Sequence, residues 1–460
     1  MFKKIICAIL ALTMLLSLSA CAKKYDESDL PQYGSQSFDI AGLWAPRQMT
    51  EEAFIQYKNA GFNVFSFTNH DEQPRSSENQ YYIGSKRSLE AIKLCKKVGL
   101  DVYLAYGDSW FNRANEGDEY FEGTPFSNHN VYGEYMDIIK GMHIKDEPNR
   151  ETMTYLSDDT LINDFKKIYP NAKYIINLIP ETAVLSRDYT SYTEMLEHFG
   201  EGILSKFPNP HISVDCYLYS NNSAVEGNII NNYNQIANCA KKYGATTAMI
   251  LQTATGNEFM DTLTEADMRQ QVYLALAFGA SGIEYYCYSV PEGMDPQYKH
   301  CRLERDNVTP NQLYYDVKTV NEEIQKFASP YLAYKWNKAI GISGTEDQTF
   351  RVCVIEYESD LSTKTSFKDT ENYVSSTGTL DMVVSQFVSE KYGEAYMFVN
   401  FSRNDGRVNT VNAQFKNCGA VAIYGGEGFD GTPEIVTLQE DGSFSLELQY
   451  GEGAFVVPLA

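Results

Sequence analysis

From Phe38 onward the chain repeats one pattern: a short β-prone run, a polar turn, then a stretch whose apolar residues recur with helical spacing and often end at Gly. The runs predict strands over Asp39–Ala45, Phe62–Thr68, Asp101–Tyr106, Gly141–Lys145, Tyr174–Ile179, Ile212–Tyr217, Thr247–Gln252 and Gly282–Tyr288. Between them, Thr50–Ala60 reads as a helix capped by Thr50 and stopped by Gly61. Ser88–Val98 ends in the same way at Gly99, and Ala266–Phe278 at Gly279. Eight strand–helix alternations without a strand-rich interruption predict a closed (β/α)8 TIM barrel over residues 35–334. An open doubly wound sheet is the alternative, but no Gly-rich phosphate turn follows the first strand. After about residue 335 helical spacing stops. Strand candidates at Phe350–Glu356, Met382–Phe387, Ala395–Asn400, Ala420–Tyr424, Ser443–Leu448 and Ala454–Pro458, separated by Gly, Asn and Asp, predict a C-terminal antiparallel β-sandwich over 335–460.

The N-terminus changes the picture of location. Lys3 and Lys4 precede an apolar stretch, Ile5 to Leu16, too short for a comfortable membrane span. Leu18-Ser19-Ala20-Cys21 then has the form of a lipobox, which makes residues 1–21 a lipoprotein leader with Cys21 as the lipidated residue. Residues 22–34 are polar and read as a tether. The expected place is the cell surface or extracytoplasmic face, with the lipid on Cys21 as the sole membrane contact.

Composition adds exclusions. The chain is 43% hydrophobic and 22% charged, as globular domains are, but carries a formal net charge of −23. Nucleic acid and anionic lipid reward Lys/Arg patches and are not expected partners. An acidic surface serves solubility and tolerates a neutral polysaccharide. The cysteines beyond the leader are scattered and never form a CxxC pair, so neither a disulfide framework nor a zinc site is expected, and they read as buried thiols. No cofactor is expected.

In a barrel, chemistry sits at the C-terminal ends of the strands. Strand one brings Trp44 there, strand two Asn69 and His70, and strand three Tyr106 and Asp108 with Trp110 beyond. Strand four ends in Lys145-Asp146-Glu147-Pro148. Asn177 follows from strand five, Asp215 and Tyr217 from strand six, Gln252 from strand seven, and Glu284, Tyr286 and Tyr288 from strand eight. Carboxylates and amides hydrogen-bond hydroxyls, and aromatic faces cover the C–H faces of sugar rings. With 34 Tyr in the chain, however, most aromatics must be packing or surface residues. The sharpest run is Met142-His143-Ile144-Lys145-Asp146-Glu147-Pro148. Two adjacent acids after an apolar strand repel, so one can be held charged while the other keeps its proton. The plain alternative is a helix-capping Asp146 and solvated carboxylates.

The run Met49-Thr50-Glu51-Glu52 with Ala60-Gly61-Phe62-Asn63, and Ser88-Leu89 with Gly99-Leu100-Asp101-Val102, resemble the opening of clan A glycoside hydrolase barrels. The Asp146-Glu147-Pro148 run, Asp215-Cys216-Tyr217 and the segment from Gln271 through Ala280-Ser281-Gly282-Ile283-Glu284-Tyr285-Tyr286 are similar to family-42-like barrels of gut bacteria. Tyr450-Gly451-Glu452-Gly453-Ala454-Phe455 resembles the closing strand of the sandwiches that follow such barrels. The resemblance implies hydrolysis of a glycosidic bond in an oligo- or polysaccharide, with Glu147 as the strand-four acid/base. It departs from the clan twice. Asp146 stands where Asn is usual, and Gln252 stands where strand seven delivers the nucleophilic Glu, and Gln cannot form the glycosyl ester. Glu258, Asp215 or Glu284 is then expected to supply the second carboxylate, Asp215 first. The rival reading is a non-catalytic glycan-binding lipoprotein. A metal-dependent hydrolase is disfavoured because the six His form no HxH or HExxH arrangement. A hinged two-sheet solute binder is disfavoured by the eight-unit count.

Overall fold

The computed structural model describes residues 24–44, 46–68, 78, 81–105, 132–219, 223–256, 262–289, 298–300, 308–343, 365–366, 373–377, 381–402, 408–415 and 418–459. Eight parallel strands close into a barrel: β1 (Asp39–Gly42), β2 (Val64–Ser66), β3 (Asp101–Ala105), β4 (Ile139–Asp146), β5 (Lys173–Leu178), β6 (His211–Asp215), β7 (Thr246–Gln252) and β8 (Gly282–Tyr286). Closure is made by β8 against β1, with Ile40 opposite Ile283 and Ala41 opposite Glu284. The expected strand positions hold for all eight, while their ends differ by a few residues.

Local chemistry explains the outer helices. Thr50 caps α1 (Glu51–Asn59) by accepting from the Ala53 N–H. Ser85 does the same for α2 (Lys86–Val98), and Gly99 closes that helix at φ 75°, a left-handed conformation that suits glycine. α3 (Arg150–Leu156), α4 (Asp159–Ile168), α5 (Tyr192–Gly202), α6 (Ser223–Tyr243), α7 (Glu265–Ala277) and α8 (Gln312–Lys326) continue the ring, and α9 (Ala328–Leu332) leads out of it. Inside, Ala41, Val64, Tyr103 and Ile175 fill one layer. Gly141 belongs there because an added Cβ would lie 2.9 Å from the Ile175 Cδ1 and 3.1 Å from the Tyr103 ring.

The C-terminal region is a sandwich of two antiparallel sheets. One holds β9 (Lys335–Ser343), β12 (Asp381–Ser389), β13 (Gly393–Asn400), β18 (Gly453–Leu459), β15 (Ala420–Tyr424) and β16 (Glu434–Thr437), in that order. The other holds β10 (Thr365–Ser366), β11 (Tyr373–Thr377), β14 (Asn409–Gln414) and β17 (Ser443–Leu448). The expected strand at Phe350–Glu356 lies outside the described residues. Val384, Phe398, Val411, Phe444 and Val456 are among the residues that fill the space between the sheets. The outer face of the larger sheet, with Phe387, Met397, Val399 and Phe455, shares one apolar core with the barrel helices.

α7 lies between the two bodies and is buried from Asp267 to Ala277, which is why it carries apolar residues on all sides. Its polar groups meet the sandwich: Gln270 Nε2 donates to the carbonyls of Asn400 (3.3 Å) and Ser402 (3.0 Å), and the Tyr450 hydroxyl donates to Asp267 at 2.6 Å. The Tyr273 hydroxyl donates to Glu323 at 2.6 Å and accepts from the Gly426 N–H at 2.8 Å.

The stretch read as a tether is partly docked. A single 3-10 turn spans Glu27–Asp29, and the Tyr33 ring packs against Tyr392 and Tyr334 at centroid distances of 4.9 and 6.2 Å. Polar composition hid this, because the tyrosines that hold it lie far apart in sequence. Among the described residues no helix is long and apolar enough to cross a membrane. Cys95, Cys216, Cys239 and Cys287 are buried free thiols and Cys418 is half-buried.

Candidate active site

The end of β4 is shaped by a bulge. His143 pairs with Ile175 of β5 and Lys145 with Ile176, so β4 carries one residue more than its neighbour, and Asp146 then falls opposite Asn177. Glu147 follows at φ 41°, unusual for a residue with a side chain, and its N–H donates to the Asn177 carbonyl at 2.9 Å.

Asn177 is the hub. Its Nδ2 donates to Asp146 Oδ1 at 2.9 Å and to Asp215 Oδ1 at 2.8 Å, while its own Oδ1 accepts from Ser213 Oγ at 3.2 Å. The two carboxylate oxygens are therefore no further apart than these two bonds laid end to end. Two carboxylates, Asp146 from β4 and Asp215 from β6, thus meet on one amide, and Glu147 follows directly after Asp146. The Arg187 guanidinium, carried by the turn after β5, donates to Glu147 Oε2 and forms an ion pair with it. Arg187 has no sequence signal that would have singled it out.

Asp215 is the perturbed member. Enclosure by protein atoms raises its pKa first, the charges of Glu147 and then Asp146 raise it further, and the Asn177 hydrogen bond pulls the other way. The net result is a carboxyl held well above the usual range, which keeps its proton when ordinary carboxylates have lost theirs. That is the property required of a general acid near neutral pH.

An aromatic wall stands beside the carboxylates. Trp44 meets Tyr286 edge to face at 4.8 Å, and the Tyr217 ring lies 5.8 Å from that of Tyr286. All three are partly exposed. Tyr288 is not in this wall: it is fully buried against Tyr57 and Phe62. Glu284 lies inside the barrel, 1% exposed, with its Oε2 3.0 Å from His143 Nε2. Gln252 is fully buried and engaged with backbone: Nε2 donates to the carbonyls of Tyr219 (3.3 Å) and Ala254 (3.1 Å), and Oε1 accepts from the Tyr219 N–H at 3.2 Å. Asn69, His70, Tyr106, Asp108, Trp110 and Glu258 lie outside the described residues, as does Cys21. Among the described residues no group of three or more His, Cys, Asp and Glu is arranged to hold a metal ion.

Fold and site together define an eight-stranded barrel with a C-terminal sandwich and a carboxylate cluster on the barrel's C-terminal face. No protein-family model and no curated protein sequence matches the chain. Among solved structures it is similar to an α-L-arabinofuranosidase from Thermotoga maritima, at 9% identity over 92% of this chain and 96% of that one, TM-score 0.46. It is also similar to a putative α-L-fucosidase from Bacteroides thetaiotaomicron, at 13% identity over 66% of this chain and 99% of that one, TM-score 0.42. A glycoside hydrolase family 42 β-galactosidase from G. stearothermophilus is 11% identical over 65% of this chain and 58% of that one, TM-score 0.42. The barrel assignment itself rests on the strand order and the closing β8–β1 pair.

Proposed function

We propose that this chain is a glycoside hydrolase acting on an oligo- or polysaccharide outside the cell, anchored by a lipid on Cys21. The observation that carries the reading is the carboxylate cluster around Asn177, in which Asp215 is held protonated beside Glu147 and Asp146. Tyr286, Tyr217 and Trp44 offer the apolar faces that sugar rings stack on.

The roles expected from the sequence exchange places in this reading. Asp215 protonates the leaving oxygen, and Glu147, ion-paired with Arg187, is the charged partner that attacks the anomeric carbon or activates water. Burial favours the proton on Asp215, and the charges of Glu147 and then Asp146 add to it. Leaving-group dependence tests the assignment. Asp215→Asn should lose about 10²–10⁴-fold on substrates with poor leaving groups and much less on activated aryl glycosides. Glu147→Gln should lose on both. The opposite pattern returns the acid role to Glu147.

A second reading, a glycan-binding protein without turnover, is favoured by one observation: the end of β7 holds Gln252 in backbone hydrogen bonds instead of presenting a carboxylate. Retention in a glycan-containing gel without release of new reducing ends would support it.

A further inference from the structure

Beneath the carboxylates, the barrel interior contains a hydrogen bond between strands that lie on opposite sides of the cylinder. His143 projects from β4 and Glu284 from β8, and their Nε2 and Oε2 atoms are 3.0 Å apart. Glu284 is 1% exposed, and its second oxygen, Oε1, is buried without a hydrogen-bond partner among the described residues. His143 is thus the group that compensates this carboxylate.

The position of His143 along β4 gives the bond its meaning. It is the last residue before the bulge, in register with Ile175, while the residues after the bulge are one step out of phase. In an unbulged strand the step after His143 would set Ile144 opposite Ile176 and Lys145 opposite Asn177. A one-residue slip moves every following side chain to the other face. The bulge instead leaves Ile144 in the outer apolar core and puts Asp146, an acid in place of a lysine, against the Asn177 amide. Above the bulge the strand is tied by Asn177 to Asp146 and Glu147. Below it, the tie across the interior is His143 to Glu284.

We propose that His143 and Glu284 are positioning residues for the candidate active site: their bond across the barrel pins the lower side of the β4 bulge and so presents Asp146 and Glu147, not Lys145, to Asn177 and Asp215. This rests on the hydrolase reading for its purpose but not for its geometry.

The surroundings of His143 are ionisable on most sides. Glu284 comes from β8, Asp146 from β4 itself, and His211 from β6. Tyr103 of β3 has its ring 5.9 Å from the imidazole, and its hydroxyl binds Asp39 of β1 and Lys173 of β5. β2 and β7 carry no ionisable side chain. Burial disfavours the imidazolium, but the charge and hydrogen bond of Glu284, with Asp146 behind them, outweigh it, so His143 titrates above the ordinary value.

Carboxyl-¹³C and imidazole NMR titrations of the full chain test the proposal without requiring turnover. Asp215 is assigned by its loss in Asp215→Asn, and His143 by its loss in His143→Phe. The charges that weigh most on Asp215 are those of Glu147 and Asp146, so a change at Asp215 reports movement of the β4 end. We expect Glu284→Ala and His143→Phe to bring the Asp215 titration down towards that of ordinary aspartates. Glu284→Gln keeps an acceptor oxygen for the imidazole and is the variant least apt to disturb folding. It should lower the His143 titration and leave Asp215 in place. With any aryl glycoside that the wild type cleaves, Glu284→Ala should cut kcat on the order of 10²-fold with little change in KM, and Glu284→Gln should recover much of it. An Asp215 titration unchanged in folded Glu284→Ala and His143→Phe proteins overturns the proposal. So does a His143 whose titration is the same in wild type and Glu284→Gln. If both titrations behave as expected and no glycoside is cleaved, the positioning stands and the hydrolase reading falls.

Discussion

Replacing Gln252 by glutamate puts a carboxylate where clan A barrels carry their nucleophile, and the structure predicts that this harms the protein without making it a better catalyst. The Gln252 amide donates to two carbonyls, Tyr219 at 3.3 Å and Ala254 at 3.1 Å, from a fully buried position. Once ionised, the glutamate of Gln252→Glu has no donor for either carbonyl and faces both with negative charge. Each buried hydrogen bond lost from one side costs about 1–3 kcal/mol, so the expected loss is about 2–6 kcal/mol. The pH dependence has a definite sign. A carboxyl enclosed beside carbonyl oxygens takes a pKa above its unfolded value of about 4.3, so the folded state binds more protons than the unfolded state. The electrostatic part of the loss is then absent below about pH 4 and grows as the pH rises through the raised value. Thermal and urea unfolding at pH 5 and pH 8, with Gln252→Met as a same-size control, measure both parts. A Gln252→Glu protein as stable as wild type at pH 8, or one that gains turnover through a covalent glycosyl adduct, refutes the argument that this position is structural.

Asp215→Asn should narrow or reverse its stability deficit as the pH rises. Wild type loses stability as the pH climbs from about 3.9, the unfolded value, through the raised folded value of Asp215, and Asn does not titrate; melting temperatures from pH 4 to 9 check this. The same variant should lack the alkaline fall in rate that a deprotonating general acid produces. Tyr273→Phe strips a partner from Glu323 and from the Gly426 N–H, and should destabilise the barrel–sandwich pair by about 2–4 kcal/mol in chemical unfolding. Cys21→Ser should move the protein from membrane fractions to the soluble fraction, and continued membrane association would remove the lipid-anchor proposal.

Much of the barrel was legible because each strand is a short β-prone run, followed by a polar turn and a stretch of helical spacing. Tyr174–Ile179 against the observed Lys173–Leu178 shows how small the offsets are. The sandwich was less legible. β14, with the sequence Asn-Thr-Val-Asn-Ala-Gln, alternates as a strand should, but its Asn content reads as turn, and only pairing with β11 and β17 makes it a strand. In the site, Asp146, Glu147, Asn177 and Asp215 could be named because parallel strands of a barrel end on one face. Arg187 could not, since a turn residue reaches Glu147 only through the folded path of the chain after β5. The partnership of His143 with Glu284 was hidden for another reason: it joins strands on opposite sides of the barrel, and neither the spacing between β4 and β8 nor their composition marks which side chains meet across the interior. Gln252 looked like a lost catalytic position, whereas its contacts are those of a buried amide holding two loops.

The most direct measurement incubates the chain lacking residues 1–21 with a broad panel of oligo- and polysaccharides and follows new reducing ends, alongside Glu147→Gln and Asp215→Asn proteins of confirmed fold. The account predicts release of reducing ends from at least one glycan by wild type and its loss in both variants. Glycan binding without release, or release undiminished in both variants, contradicts it.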